Sequence, residues 1–156
     1  MKKQYKHILV PLDGSELAEA ALADAFVLAR LSMAEVTLLR IVPVTESVPE
    51  LSAYSATYVD EIWQINRRQA IEYLESVRDK VKSESFKVHI AVEMGPAAET
   101  IIYYASKHHA DLIVMATHGH SGLKRWVYGS VADKVLRGSH FSVLLVRSFP
   151  EDIKTD

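Results

Sequence analysis

The chain has 156 residues, of which 49% are hydrophobic and 24% are charged, a composition typical of a folded globular protein rather than a disordered one. The 18 lysines and arginines against 20 acids leave a formal charge of −2, which gives no electrostatic reason to expect nucleic acid as the main partner. The lack of cysteine excludes disulfides and thiolate metal sites, and no apolar stretch is long enough to span a bilayer, so we expect a cytoplasmic protein.

The first half of the chain alternates between strand and helix patterns. The apolar run 8–11 predicts a strand buried on both faces, and Ser15 then caps a helix whose apolar residues recur at helical spacing. A second strand is predicted at 36–42. After an irregular polar stretch at 45–57, apolar residues from Val59 to Val81 mark one face of a long helix.

The second half continues the same alternation. A third strand is predicted at 86–92, where polar and apolar residues alternate, and Pro96 favours the start of a helix. The last two strands are predicted at 112–115 and 143–146. A short helix, 131–137, separates them.

Five strands separated by helices predict an α/β fold with one open parallel sheet, strand order 3-2-1-4-5, and helices on both faces. We expect a single domain over residues 1–156, with a core at about 5–148 and a polar C-terminal tail. The strand order reverses between the first and fourth strands, and open sheets of this kind bind ligands at that point, beyond the carboxyl ends of the strands.

The most informative segment, 115–131, connects the fourth strand to the short helix and carries several glycines. Glycines allow backbone N–H groups to approach an anion, and a helix N-terminus favours negative charge, so the segment predicts a phosphate-binding loop. Ser130, with Asp133 three residues later, is predicted to cap the helix and could offer its hydroxyl to a phosphate. The spacing excludes GxxxxGK[ST], GxGxxG and GxSxG motifs. The alternative is a surface loop whose glycines only allow it to turn.

Asp13 follows the first strand and meets this loop at the same edge of the predicted sheet. Its carboxylate could accept hydrogen bonds from ribose hydroxyls, although Asp-Gly before a helix also favours a turn without any ligand. Ile41 and Val42 end the second strand and could flank a purine, or simply pack in the core. His118 and His120 form a His-x-His pair without a third ligand in the loop, so we assign no metal-binding residue.

These residues resemble the universal stress protein family from Lys6 to Arg147. The resemblance is carried by 7–15, by 111–115 and by the loop that ends in Gly129-Ser130-Val131. In the nucleotide-binding branch of that family the loop reads Gly, two residues, Gly, nine residues, then Gly followed by Ser or Thr. Gly119, Gly129 and Ser130 fit this pattern, whereas Ala116 replaces the first glycine. The added methyl group could crowd the phosphates, but the second half of the motif is intact, so we expect binding to be retained.

The resemblance implies a Rossmann-like fold of the adenine nucleotide alpha hydrolase-like type. It implies ATP as the ligand, with Mg²⁺ as a candidate cofactor. It also implies a stress-response or regulatory module rather than an enzyme. Alternatives are a slow ATP hydrolase, in which Asp13 could touch a metal, and a nucleotide-free dimeric protein, which Ala116 would favour. No catalytic residue is assigned. The residues expected at the ligand are Pro11, Leu12, Asp13, Ser15, Ile41, Val42, Met115, Ala116, Thr117, His118, Gly119, Gly122, Gly129, Ser130 and Val131.

The last strand predicts a homodimer. In the 3-2-1-4-5 order, 142–147 lies at an open sheet edge, and an apolar edge strand invites pairing unless something covers it. Two copies paired about a two-fold axis would satisfy both edges, and family members commonly dimerise through this strand. Alternatively, the tail 149–156 covers the edge and the protein is a monomer. We expect no nucleic acid and no membrane partner.

Overall fold

A computed structural model describes residues 4–43, 56–81, 85–117 and 129–147, with only the backbone described at 56–59. The strands are β1 (His7–Leu12), β2 (Glu35–Val42), β3 (Val88–Met94), β4 (Leu112–Ala116) and β5 (Ser142–Val146). They form one parallel sheet in the order β3-β2-β1-β4-β5, which confirms the predicted fold class and strand order.

The helices are α1 (Glu16–Glu19), α2 (Ala21–Ser32), α3 (Ala56–Asp79), α4 (Ala97–Lys107) and α5 (Ser130–Gly138). The predicted cap at Ser15 is present, since its hydroxyl accepts a hydrogen bond from the Ala18 N–H at 3.1 Å. The single helix predicted after Ser15 is wrong in one respect, because it is interrupted at Ala20. Ala20 keeps helical dihedral angles, φ −55° and ψ −26°, so the chain continues in nearly the same direction.

The helices cover both faces of the sheet, as predicted. Ile8 and Val10 of β1 pack in a core with α1, α2 and α3, whereas Leu9, between them, packs in a second core with α4 and α5. Successive residues of a strand point to opposite faces, so a strand between two helical layers needs apolar residues at both positions. All six residues of β1 are buried, which accounts for its uninterrupted apolar run.

The predicted position of the third strand, 86–92, is wrong by two residues, since β3 begins at Val88 and ends at Met94. Phe86 precedes the strand because its ring packs against Phe26 of α2, with 5.5 Å between the centroids. This contact between distant parts of the chain holds Phe86 outside the strand ladder.

The amino end of the sheet is closed by a hydrogen-bonded cluster. Asp111 Oδ2 accepts from the N–H groups of Lys6 and His7, at 2.7 and 2.9 Å. The buried His7 ring lies between the His108 carbonyl oxygen, 3.0 Å from Nδ1, and Thr37 Oγ1, 2.8 Å from Nε2. The polar groups at this end therefore pair with one another.

In the four described ranges, none of the helices combines the length and the hydropathy that a bilayer span requires.

Candidate functional site

The two strands on either side of the predicted switch point separate toward their carboxyl ends. β1 pairs with β2 along its full length, from His7 to Leu12, but with β4 only through Ile8–Leu112 and Leu9–Ile113. Beyond these pairs no ladder joins β1 to β4. Ligands bind at this position in open α/β sheets, where the connections leave the sheet in opposite directions.

A cavity of about 270 Å³ lies at this carboxyl edge, near the lower end of the range of about 300–1,000 Å³ for small-molecule sites. Its described lining is mostly apolar, with one acid and one base, Asp13 and Arg40. The cavity is lined by Pro11, Leu12, Asp13, Ala18, Leu39, Arg40, Ile41, Ala97, Ile101, Met115, Ala116, Thr117, Gly129, Ser130, Val131 and Ala132.

The structure brings most of the predicted site residues together at this cavity. Two of them are not among its lining: Ser15 caps α1, and Val42 is buried with its carbonyl oxygen accepting from the Gly95 N–H at 3.1 Å. The predicted site residues His118, Gly119 and Gly122 lie outside the described residues.

Thr117 joins the ends of the predicted phosphate loop. Its N–H donates to the Val146 carbonyl at 2.9 Å, and its own carbonyl accepts from the Gly129 N–H at 2.6 Å. Ala116 and Thr117 are buried, and both line the cavity. The residues that precede and follow the segment 118–128 are therefore hydrogen-bonded neighbours on one wall.

The predicted capping role of Ser130 is wrong, because α5 begins one residue earlier than expected. Gly129 is the N-cap, with its carbonyl accepting from the Asp133 N–H at 3.0 Å, and Ser130 is the first helical residue, with no side-chain capping bond. The first N–H groups of a helix have no partner within it. Because Ser130, Val131 and Ala132 all line the cavity, the first turn of α5 presents such groups beside it.

Asp13 forms the turn predicted for it as the alternative to ribose binding. Its Oδ1 accepts from the Ser15 N–H at 2.9 Å and from the Ser15 hydroxyl at 2.5 Å, and Gly14 has a positive φ of +86°. The same half-buried carboxylate lines the cavity. A carboxylate has about four acceptor positions, so the turn and a ligand can share it.

Arg40 is a cavity residue that the sequence analysis missed. Its Nη1 donates to the Leu12 carbonyl at 3.4 Å, and a Cβ placed at Gly14 would lie 3.8 Å from its Nη2. The available signal was that Arg40 is the one charged residue in the predicted strand 36–42. The apolar lining of Ala18, Leu39, Ala97, Ile101 and Ala132 was also missed, since nothing in the sequence distinguishes these residues from core residues.

Tyr73, on α3, is close enough to Asp13 and Arg40 to be affected by their charges. Burial and the neighbouring Glu19 raise the pKa of Tyr73 above its ordinary value of 10.0. The negative charge of Asp13 also raises this pKa, whereas the positive charge of Arg40 lowers it. Tyr73 therefore remains protonated at neutral pH, and its hydroxyl donates to Glu19 Oε1 at 3.0 Å.

Residues 4–147 match the universal stress protein family. The chain belongs to this family. The universal stress protein MJ0531 of Methanocaldococcus jannaschii is 34% identical to it over 143 residues, which make up 92% of this chain and 82% of that protein. The solved structure of MJ0577, from the same organism, superposes with a TM-score of 0.82 at 30% identity, over 93% of this chain and 97% of that one.

More distant universal stress proteins share the fold. One was solved in complex with cAMP, with a TM-score of 0.67 at 21% identity, over 94% of this chain and 99% of that one. Another, from Arabidopsis thaliana, was solved with AMP bound, with a TM-score of 0.65 at 13% identity, over 97% of this chain and 97% of that one.

Proposed function

We propose that this universal stress protein binds an adenine nucleotide, ATP in the first place, in the cavity between β1 and β4. The bound nucleotide alters the protein's shape or partners, so the protein acts as a regulatory module in a stress response. The observation that carries the proposal is the meeting of two separate segments, 11–13 and the residues around Thr117 and Gly129, at one cavity on the switch point.

Each part of the nucleotide has a matching part of the cavity. Leu39, Ile41 and Ile101 provide an apolar surface for the base. Asp13 accepts hydrogen bonds from the ribose hydroxyls, and the phosphates lie at the first turn of α5 beside Ala116. The cAMP and AMP complexes of distant universal stress proteins support the proposal, because they are adenine nucleotides held by proteins of the same fold.

Regulation by binding is a better fit to the cavity than hydrolysis. Among the described lining residues, Asp13 is the only carboxylate, and it belongs to the ribose side in this proposal. Mg²⁺ that arrives with ATP would accordingly be held through the phosphate oxygens and water, with little from the protein. No acid that holds a metal and no residue that positions water is assigned at the phosphates.

The direct test is to denature the purified protein with acid and identify the nucleotide that is released. Titration calorimetry with ATP, ADP, AMP and adenosine then ranks the ligands. We expect ATP to be released or to bind with measurable heat, and to raise the unfolding temperature. The absence of both released nucleotide and titration heat would instead favour the nucleotide-free alternative. Phosphate release under saturating ATP and Mg²⁺ tests the hydrolase separately.

We also propose that two copies pair through β5. This strand lies at the edge of the sheet, where it pairs with β4 and every residue from Ser142 to Val146 is half-buried. Antiparallel pairing about a two-fold axis would occupy the outer backbone groups of both copies.

Sedimentation at micromolar concentration tests the dimer. Leu145→Lys places a charge in the paired edge, so we expect it to shift the protein from dimer to monomer, while Leu31→Lys on the exposed surface of α2 leaves the dimer intact. Circular dichroism checks that both variants fold. A wild-type species near 17.5 kDa would favour a monomer whose edge is covered by its own tail.

A further inference from the structure

Arg40 lies on the opposite face of β2 from the apolar wall of the cavity. Leu39 and Ile41 pack in the core formed with α4 and α5. Because side chains alternate along a strand, Arg40 projects toward the other face, where Leu12 and Ala18 pack in the core formed with α1, α2 and α3. All five residues line the cavity, so it extends over the end of the sheet from one face to the other.

The strand order also separates Arg40 from the proposed phosphate site. β1 lies between β2 and β4, and neighbouring strands are about 4.8 Å apart, so β2 is roughly 10 Å from the strand that leads to α5. A phosphate chain that extends from the ribose toward α5 therefore runs away from Arg40. The part of the ligand nearest to Arg40 is the one that lies at the Asp13 turn.

The guanidinium group is held at that turn. It donates to the Leu12 carbonyl at 3.4 Å, and a Cβ placed at Gly14 would lie 3.8 Å from its Nη2, so the group lies beside residues on both sides of Asp13 in the sequence. This bond is long and uses one of the five N–H groups of a guanidinium, so the group can bind further oxygen acceptors at the cavity. A planar guanidinium matches a phosphate, with which it can form two parallel hydrogen bonds.

We infer that the cavity prefers an adenosine nucleotide that carries a second phosphate on the ribose, at the 2′ or the 3′ oxygen, and that Arg40 binds this phosphate. The inference rests on the proposed nucleotide-binding function. A phosphate at one of these positions leaves the other hydroxyl free to donate to Asp13, so both residues contact the ribose end of one ligand. Dinucleotide sites use the same chemistry, with an acid for a ribose hydroxyl and an arginine for a 2′-phosphate.

The test compares four ligands by calorimetry: AMP, ADP, adenosine 2′,5′-bisphosphate and adenosine 3′,5′-bisphosphate. ADP is the matched ligand, because its second phosphate is on the 5′ chain. For the wild type we expect at least one bisphosphate to bind about 10- to 100-fold more tightly than AMP, the size expected for hydrogen bonds between charged groups.

Two variants locate the effect. Arg40→Gln should reduce the preference for the bisphosphate over AMP to about threefold or less, while the ratio of ADP to AMP affinity stays unchanged. Lys107→Gln removes the same charge at the exposed C-terminal end of α4 and should keep the wild-type preference. The wild-type comparison of ADP with the bisphosphates needs no variant, so it still tests the ligand preference if Arg40→Gln fails to fold.

The contradicting outcomes are distinct. If AMP binds the wild type and neither bisphosphate is preferred, the inference is overturned and the proposed function stands. A preference that persists in folded Arg40→Gln overturns the role of Arg40. If no nucleotide binds the wild type at all, the proposed function fails and this inference fails with it.

Discussion

Each end of the sheet has an aspartate and a basic side chain, but the two ends differ in what these groups contact. At the amino end, Asp111, His7 and Thr37 bond to one another and to the backbone, and their hydrogen bonds join β1 to β2 and to the α4–β4 connection. At the carboxyl end, Asp13 and Arg40 bond to the neighbouring turn and also line a cavity. The described polar groups at the amino end therefore bond within the protein, whereas those at the carboxyl end also face a cavity.

This difference suggests that stability and ligand binding depend on separate ends of the sheet. The amino-end cluster replaces contacts with water by internal hydrogen bonds, which stabilises the fold. The carboxyl-end groups are polar side chains in the mostly apolar lining of a cavity, which is the arrangement expected of a site for a polar ligand. Substitutions at the two ends should therefore affect different measurements.

The largest expected effect is on nucleotide affinity, from Gly129→Val at the carboxyl end. The branched side chain occupies space at the first turn of α5 that the phosphates need, so ATP should bind at least about 100-fold more weakly by calorimetry. The backbone can accept valine, since φ is −52°. Gly138→Ala, at the far end of the same helix, is the control and should leave affinity unchanged. An unchanged affinity in folded Gly129→Val would remove this turn from the site.

Asp13→Ala should weaken ATP binding by about 1–3 kcal/mol, through the loss of charge-assisted hydrogen bonds to the ribose. Because Asp13 also stabilises its own turn, affinity alone does not identify the contact. The sharper measurement is discrimination between ATP and 2′,3′-dideoxy-ATP, which the wild type should show and the variant should lose. Equal discrimination by the two proteins would mean that Asp13 does not contact the ribose hydroxyls.

Asp111→Ala tests the amino end. It leaves the N–H groups of Lys6 and His7 without their acceptor, so the free energy of unfolding in urea should fall by about 1–3 kcal/mol. The control is Glu75→Ala, which removes an exposed ion pair with Arg78 and should change the free energy of unfolding by about 0.5 kcal/mol or less. ATP affinity should stay within about twofold of the wild type in both, because neither residue lines the cavity. A large loss of affinity in folded Asp111→Ala would contradict the separation of the two ends.

The smallest effect is expected from Ala116→Gly. Removing one methyl group beside the phosphates should tighten ATP binding by about 1 kcal/mol or less, or leave it unchanged. Ala110→Gly makes the same change before β4, at the amino end, and should not alter affinity. If Ala116→Gly clearly weakened binding, alanine would be a favourable residue at this position rather than an obstruction.

The sequence predicts where the buried strands lie because burial on both faces leaves long apolar runs, as in β1. It also identifies Asp13 and Gly129 at one edge, since the carboxyl ends of parallel strands meet there. Both conclusions follow from patterns within short segments. The confirmed parts of the fold are those that such local patterns determine.

The parts that could not be predicted depend on contacts between distant residues. Phe86 is excluded from β3 by its packing on Phe26, and the role of Arg40 depends on how β2 aligns with the Leu12–Gly14 turn. The cap at Gly129 was missed for another reason. Serine is a common N-cap, but here the glycine before it is the N-cap, and its carbonyl accepts the first hydrogen bond within the helix, from the Asp133 N–H.

The short pairing between β1 and β4 has a consequence for cooperativity. In the strand ladder, two residue pairs link β1 to β4, whereas six link β1 to β2 and five link β4 to β5, so the ladder is weakest between the unit β3-β2-β1 and the unit β4-β5. A ligand bound across the junction would contact both units and add its binding free energy to their association. Because β5 pairs with the sheet through β4, the same ligand would also limit subglobal opening at the edge strand. Occupancy of the cavity and the rigidity of the proposed dimer strand would then be thermodynamically linked.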